Sequence, residues 1–341
     1  MAELLTQTPT PDPSSESPVV LPPQCLLATT CIQALAQGGK PDGRDKGSEP
    51  DAGPAGQVIS AVQRLGATAL HLSEGPIRGF LAELVVELLL RRAELPVVAV
   101  DATLGAIRLG RPRAALACAG SLDRREAEEA TAVATAALSL AAELGAPFVA
   151  LRLGAVAGLT ALWEKARSHF LRGALASDEA PAEELMQARS ALSSPHLDAA
   201  LRSLDRLFNA AQRLRVTVLL PSPRRAVELP TPIELRALCS EFAGAPLAPL
   251  LDVPAAHLAS AMHLLPLRDS VLGFGVGPLA NLSDGCGAVG GLPPGHGEVD
   301  LIAIARTLAP ATHREFVPWP ALRPAEVAAG YRAVAALRLA G

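Results

Sequence analysis

The chain has 341 residues, half of them hydrophobic and only 3% aromatic, with a formal net charge of −4 and a sequence pI near 6.0. That balance offers no strongly basic face of the kind nucleic acid requires, so no nucleic-acid partner is expected. The apolar share suffices for a sizeable core, built from Ala, Leu and Val for want of aromatics, and α/β barrels of about 250 residues form as one domain.

In chain order, residues 1 to about 20 are rich in Pro, Ser and Thr without periodicity and are expected to form a disordered leader. They lack the positive and apolar regions of a secretory signal. Short apolar runs follow at 25–30, 67–72, 97–101, 148–153, 216–220, 248–252, 271–276 and 315–317. Most lack polar alternation, as expected of parallel strands buried on both faces. A Gly- and Pro-rich stretch at about 38–56 reads as a flexible loop within a domain spanning 21–341. The most apolar segment, 80–100, carries Glu83, Glu87, Arg91, Arg92, Glu94 and Pro96, which excludes a membrane span. Asp123 and Glu126 form a capping-box pattern for a helix running to Leu144 and stopping at Gly145. Residues 159–192 read as a helical excursion after the fourth strand. Leu197, Leu201, Leu204, Leu207 and Leu214 then share one face of a further helix. Helices are also expected at 300–308 and at 324–337, the latter with Pro324 in its first turn. Strand and helix alternating eight times predict a (β/α)8 TIM barrel, with an open doubly wound sheet as the alternative. Five scattered cysteines, Cys25, Cys31, Cys118, Cys239 and Cys286, show no metal or disulfide spacing and point to a reducing cytoplasm.

Six stretches, 61–72, 138–154, 210–220, 228–232, 250–253 and 294–301, resemble in order and spacing the sugar phosphate isomerase/epimerase family, within the xylose isomerase-like and endonuclease IV-like superfamily. The most specific is Pro294-Gly295-His296-Gly297-Glu298-Val299-Asp300, a PG-x-G-x-V-D motif opening a late helix. The resemblance implies a divalent metal held by carboxylates and imidazoles at the C-terminal strand ends, polarising a hydroxy-carbonyl substrate. Position by position, those ligands are mostly replaced. The fifth strand ends in Pro221-Ser222 where a Glu is expected. Asp252 remains on the sixth, but the His three residues on is Ala255. The next strand's His-x-x-Asp falls on 275–278, a His before the PG-x-G motif falls on Gly291, the last strand's Glu falls near Pro318, and an early carboxylate falls on His71.

The expectation is therefore a xylose isomerase-like barrel without bound metal or cofactor: a pseudoenzyme that binds a small anionic or sugar-like ligand, or a partner protein. An isomerase or epimerase with an altered or metal-independent site is the alternative reading. His71, Arg152, Asp252 and His296 are the candidate ligand-binding residues at the barrel mouth, and Arg152 could equally pair with a loop carboxylate. No residue is assigned a catalytic role, and the sequence leaves the oligomeric state open. His169, His196 and His313 are expected to be solvated. Glu298 is expected to cap the helix near Asp300. The glycines at 273–277 lack the spacing of a phosphate loop.

Overall fold

The computed structural model describes residues 25–28, 53–73, 76–110, 118–175 and 177–337. Its centre is a closed barrel of eight parallel strands: β1 (Cys25–Ala28), β2 (Ala69–Leu72), β3 (Val97–Asp101), β4 (Phe148–Ala150), β5 (Thr217–Pro221), β6 (Leu247–Asp252), β7 (Leu279–Asn281) and β10 (His313–Phe316). β1 pairs with both β2 and β10, which closes the ring. Between β7 and β10 lies an antiparallel hairpin, β8 (Asp284–Cys286) with β9 (Val289–Leu292). The predicted barrel is met.

The barrel interior follows from strand alternation. Ala69, Ala99 and Ala150 face Leu219, Leu250 and Leu279 in one buried cluster, with Phe148 and Ala248 packed against it. Small residues on one side face leucines on the other, and Phe148 is the aromatic side chain packed against them. At the N-terminal end of the barrel, Phe148 and His313 cross edge to face with centroids 6.0 Å apart. His313 is thus a buried barrel residue, contrary to the expected solvated one.

The helices form the outer layer. Helix α1 (Pro54–Arg64) begins where the flexible loop was expected to continue. The rest of that loop and the leader lie outside the described residues. Helices α2 (Leu81–Leu90) and α3 (Leu104–Arg108) flank β3. Helix α4 (Arg124–Leu144) starts at the expected Asp123, whose carboxylate accepts from the backbone N–H of Arg125 and Glu126, and stops at Gly145 in the left-handed region. Its capping box is half made, because Glu126 accepts from Ser121 while Asp123 N donates to Ser121 Oγ. The segment 159–192 holds α5 (Thr160–Leu171) and the first third of α6 (Ala180–Leu214), which passes through Pro195. Helix α7 (Pro232–Glu241) opens on a complete capping box between Thr231 and Glu234. The remaining helices are α8 (Val253–Ala261), α9 (Leu267–Phe274), α10 (Leu301–Thr307) and α11 (Pro324–Leu337).

One strand was misplaced. The apolar run at 271–276 is the end of α9, with Val271 and Phe274 buried but Leu272 and Val276 exposed. A short apolar run cannot by its composition separate a strand from a buried helical turn. The seventh barrel strand instead follows Pro278 and is only three residues long. Among the described residues no helix is long and apolar enough to cross a membrane.

Candidate functional site

The C-terminal strand ends form the mouth of a (β/α)8 barrel, where side chains from different strands converge. Register and alternation bring His71 on β2, Asp101 on β3, Asp252 on β6, Asn281 on β7 and Glu315 on β10 to the inner face, with Arg152 just beyond β4. The loop after β5 adds Ser222, Arg224 and Glu228. These groups form two joined networks.

The first is a carboxylate–imidazole–carboxylate row. His71 Nδ1 lies 2.7 Å from Glu315 Oε1, and its Nε2 lies 3.4 Å from Asp101 Oδ1. Glu315 and His71 are buried, whereas the Asp101 side chain keeps 32% of its surface. Burial alone would push the His71 pKa down, but the two carboxylates beside it, Glu315 and Asp101, raise it to about 10. For Asp101 burial pushes upward, while His71 and then Arg152 and Arg224 pull down, and the net direction is down.

These shifts give a pH prediction with a definite sign. A histidine whose folded pKa exceeds its ordinary value of 6.5 contributes stability that is complete below about pH 6.5. That contribution is lost as pH rises through about 10. The melting-temperature difference between wild type and Glu315→Gln should therefore be largest near pH 6 and shrink towards pH 10. A difference that does not change with pH would mean that His71 carries no charge.

The second network is centred on Asp252. Asn281 Nδ2 donates to Asp252 Oδ1 at 3.1 Å. Arg224 Nε and Arg152 Nη2 approach Oδ2 at 3.4 Å and 3.6 Å. The Asp252 backbone N–H donates to Ser222 Oγ at 2.7 Å. Arg152 also faces Glu228 at 3.7 Å, and Glu228 accepts from Arg225 at 2.8 Å. The Arg152 and Arg224 side chains remain 39% and 60% exposed.

Two cavities adjoin these networks. One, of about 300 Å³, is lined by Arg224, Asp252 and Asn281 together with Leu258, Pro318 and Trp319. The second, of about 320 Å³, is lined by Asp101, Thr103, Cys118, Arg152, Arg225 and Glu228. Trp319 is 44% exposed, whereas Trp163 is buried.

The donors present do not fit a divalent metal. Both Asp252 oxygens are engaged, one by an amide and the other by two guanidinium groups that repel a metal ion. Pro221 and Ala255 supply no ligand atom. Among the described residues no cluster of three or more His, Cys, Asp or Glu could hold an ion. A side chain at Gly291 would meet Trp319 N at 2.5 Å and Val317 O at 2.8 Å, so no histidine fits there.

Two of the sequence alignments need correction. With β7 at Leu279–Asn281, the His-x-x-Asp position falls on Asn281-Leu282-Ser283-Asp284 and not on 275–278. The last strand does carry an inward carboxylate, Glu315, ahead of the Pro318 position, but it is bound to His71.

Of the four candidate ligand residues, His71, Arg152 and Asp252 converge at the mouth. His296 does not: it is exposed on the PG-x-G loop, outside the residues lining either cavity. Asp101, Arg224, Glu228, Asn281 and Glu315 were missed as site residues. The inward face of each strand was the available signal, since Asp101 and Glu315 lie within or at the end of predicted strands. His196 is buried rather than solvated, with Nδ1 2.7 Å from Gly120 O and Nε2 accepting from Ala157 N at 3.2 Å. His169 faces Asp178 at 3.3 Å. Asp300 itself caps α10, accepting from Ala303 N, while Glu298 faces His257 at 3.5 Å and accepts from the Cys286 thiol.

No protein-family model matches the chain, and no curated protein matches it in sequence. Solved structures do match over nearly the whole length. A D-tagatose 3-epimerase-like protein superposes with a TM-score of 0.60 at 14% identity, covering 93% of this chain and 97% of that one. D-allulose 3-epimerase from Methylomonas sp. in complex with D-allulose gives 0.56 at 14% identity, with 94% and 98% covered. Endonuclease IV from Thermus thermophilus gives 0.52 at 17% identity, with 92% and 98% covered. The chain has the xylose isomerase-like fold that these barrels share.

Proposed function

We propose that this xylose isomerase-like barrel is a metal-free binding protein for a small hydroxylated anion, such as a sugar acid or sugar phosphate. The observation that carries the reading is the pair Arg152 and Arg224. Both are partly exposed at the mouth, and neither approaches Asp252 closer than 3.4 Å. Guanidinium groups held this loosely retain N–H donors for an incoming oxyanion. The exposed Trp319, which lines the same cavity as Arg224, offers an apolar face to a ligand's carbon skeleton. The fold neighbour solved with D-allulose supports a sugar-like ligand.

Aldose–ketose isomerisation needs a base beside the carbonyl and an electrophile for the enediolate. Both Asp252 oxygens already face protein groups, Oδ1 an amide and Oδ2 two guanidinium groups, so neither is left open towards a substrate C–H. One observation favours the catalytic alternative: Asp101 is partly exposed and lines the same cavity as Arg152. Metal-independent turnover of D-allulose that is lost in Asp101→Asn would establish it.

The binding test is titration with glucose 6-phosphate and gluconate, followed by calorimetry and tryptophan fluorescence. Saturable binding should perturb Trp319 and not the buried Trp163. Arg152→Ala should weaken affinity roughly 10–100-fold, as for loss of a charge-assisted hydrogen bond. Unchanged affinity in both Arg152→Ala and Arg224→Ala would refute the reading, as would metal-stimulated turnover by the wild type.

A further inference from the structure

We propose that His71 is a built-in cation that takes over the electrostatic work of a metal ion, its imidazolium joining Glu315 and Asp101 across the barrel mouth. The inference rests on charge pairing and does not depend on the ligand proposed above. Three inward carboxylates, Asp101, Asp252 and Glu315, share the mouth, and a buried ion left without a counter-charge costs several kcal/mol. Arg152 and Arg224 answer Asp252. Only His71 answers Glu315 among the described contacts, and it also faces Asp101.

The placement of His71 between two carboxylates favours the protonated ring. Nδ1 faces a Glu315 oxygen at 2.7 Å, and Nε2 is a buried atom with no hydrogen-bond partner, 3.4 Å from an Asp101 oxygen. Neutral imidazole donating to Glu315 through Nδ1 would leave the Nε2 lone pair buried beside the Asp101 carboxylate, 3.4 Å away. Doubly protonated imidazole keeps the Glu315 hydrogen bond and sets positive charge beside Asp101, close enough for charge pairing though not aligned as a hydrogen bond. The raised pKa of His71 agrees with that form. The barrel thereby keeps its inward carboxylates while excluding the metal.

Two measurements test this. In the wild type, nitrogen chemical shifts of His71 at pH 8 should report both ring nitrogens protonated, without broadening when Mn2+ is added. His71→Glu should create a site where none exists, so that its melting temperature rises with Mn2+ concentration while that of the wild type does not. Asp101→Asn in that background should reduce the rise. A neutral His71 ring at pH 8, stoichiometric Mn2+ binding by the wild type, or a folded His71→Glu indifferent to Mn2+ would each overturn the proposal. If His71→Glu does not fold, the nitrogen shifts of the wild type decide alone.

Discussion

Arg189→Ala should destabilise the protein by about 3–5 kcal/mol, the loss expected when one partner of a buried ion pair is removed. Arg189 lies on α6 with only 4% of its surface exposed. Its guanidinium donates to both carboxylate oxygens of Glu234, at 2.6 Å and 2.8 Å, and to the backbone carbonyls of Ala226 at 2.6 Å and Glu228 at 2.9 Å. Glu234 in turn completes the capping box of α7 by accepting from Thr231 N at 2.7 Å. One side chain thus fastens α6, the loop at 222–231 and the start of α7. Its loss leaves a carboxylate and two carbonyls without their donor. The damage should reach the site, because the same loop carries Arg224, Arg225 and Glu228. Chemical denaturation measures the first effect, and anion titration of the folded fraction measures the second. Arg189→Lys should recover only part of the loss, since an ammonium cannot reproduce the planar fork. A loss below about 1 kcal/mol for Arg189→Ala would show that water replaces these bonds without penalty.

What the sequence revealed and what it concealed divide along physical lines. Strands β1 to β6 were legible because each is a compact apolar run between helical patterns, whereas β10, His313–Phe316, is mostly polar and only its end was marked by the run at 315–317. The start and stop of α4 were legible because capping is a local interaction among neighbouring residues. The seventh strand was not, for its apolar signal is three residues long and stands beside a stronger run belonging to α9. That single error carried the His-x-x-Asp comparison to 275–278, whereas the strand itself ends at Asn281. The mouth was half legible. His71, Arg152 and Asp252 could be picked out by their places at strand ends. Their partners could not, because the Glu315 that fixes His71 is 244 residues away and the Asn281 that holds Asp252 is 29 residues away. Contacts of that range follow from barrel closure and strand register, which no local pattern contains. The charge of His71 was invisible for the same reason: it depends on two carboxylates brought in by β3 and β10.

Asp284→Ala should cost about 3 kcal/mol and dismantle the wall of the Trp319 cavity, since it strands four backbone donors at once, one buried and three part-buried. Asp284 is fully buried just beyond β7. Its Oδ1 accepts from Gly285 N at 2.8 Å and Val299 N at 3.1 Å, and its Oδ2 accepts from Gly295 N and Gly297 N, both at 2.9 Å. This explains the PG-x-G motif in physical terms. The backbone folds around one carboxylate, and Gly297 passes so close that a Cβ there would sit 2.4 Å from Asp284 Oδ1. Removing the carboxylate leaves four backbone donors unpaired, and each unsatisfied buried donor costs about 1–3 kcal/mol, less where water reaches it. Asp284→Asn is the sharper probe. An amide keeps one accepting oxygen but turns an NH2 group towards the other pair of N–H groups, so two bonds survive and two become repulsive contacts. Asn should therefore recover little of the lost stability despite its near-identical shape. Because the hairpin residues 287–291 line the cavity, both variants should also expose that segment to limited proteolysis and weaken anion binding. Wild-type stability in Asp284→Asn would show that charge and acceptor count are irrelevant here, and that the loop is held by its glycines and hairpin pairing alone.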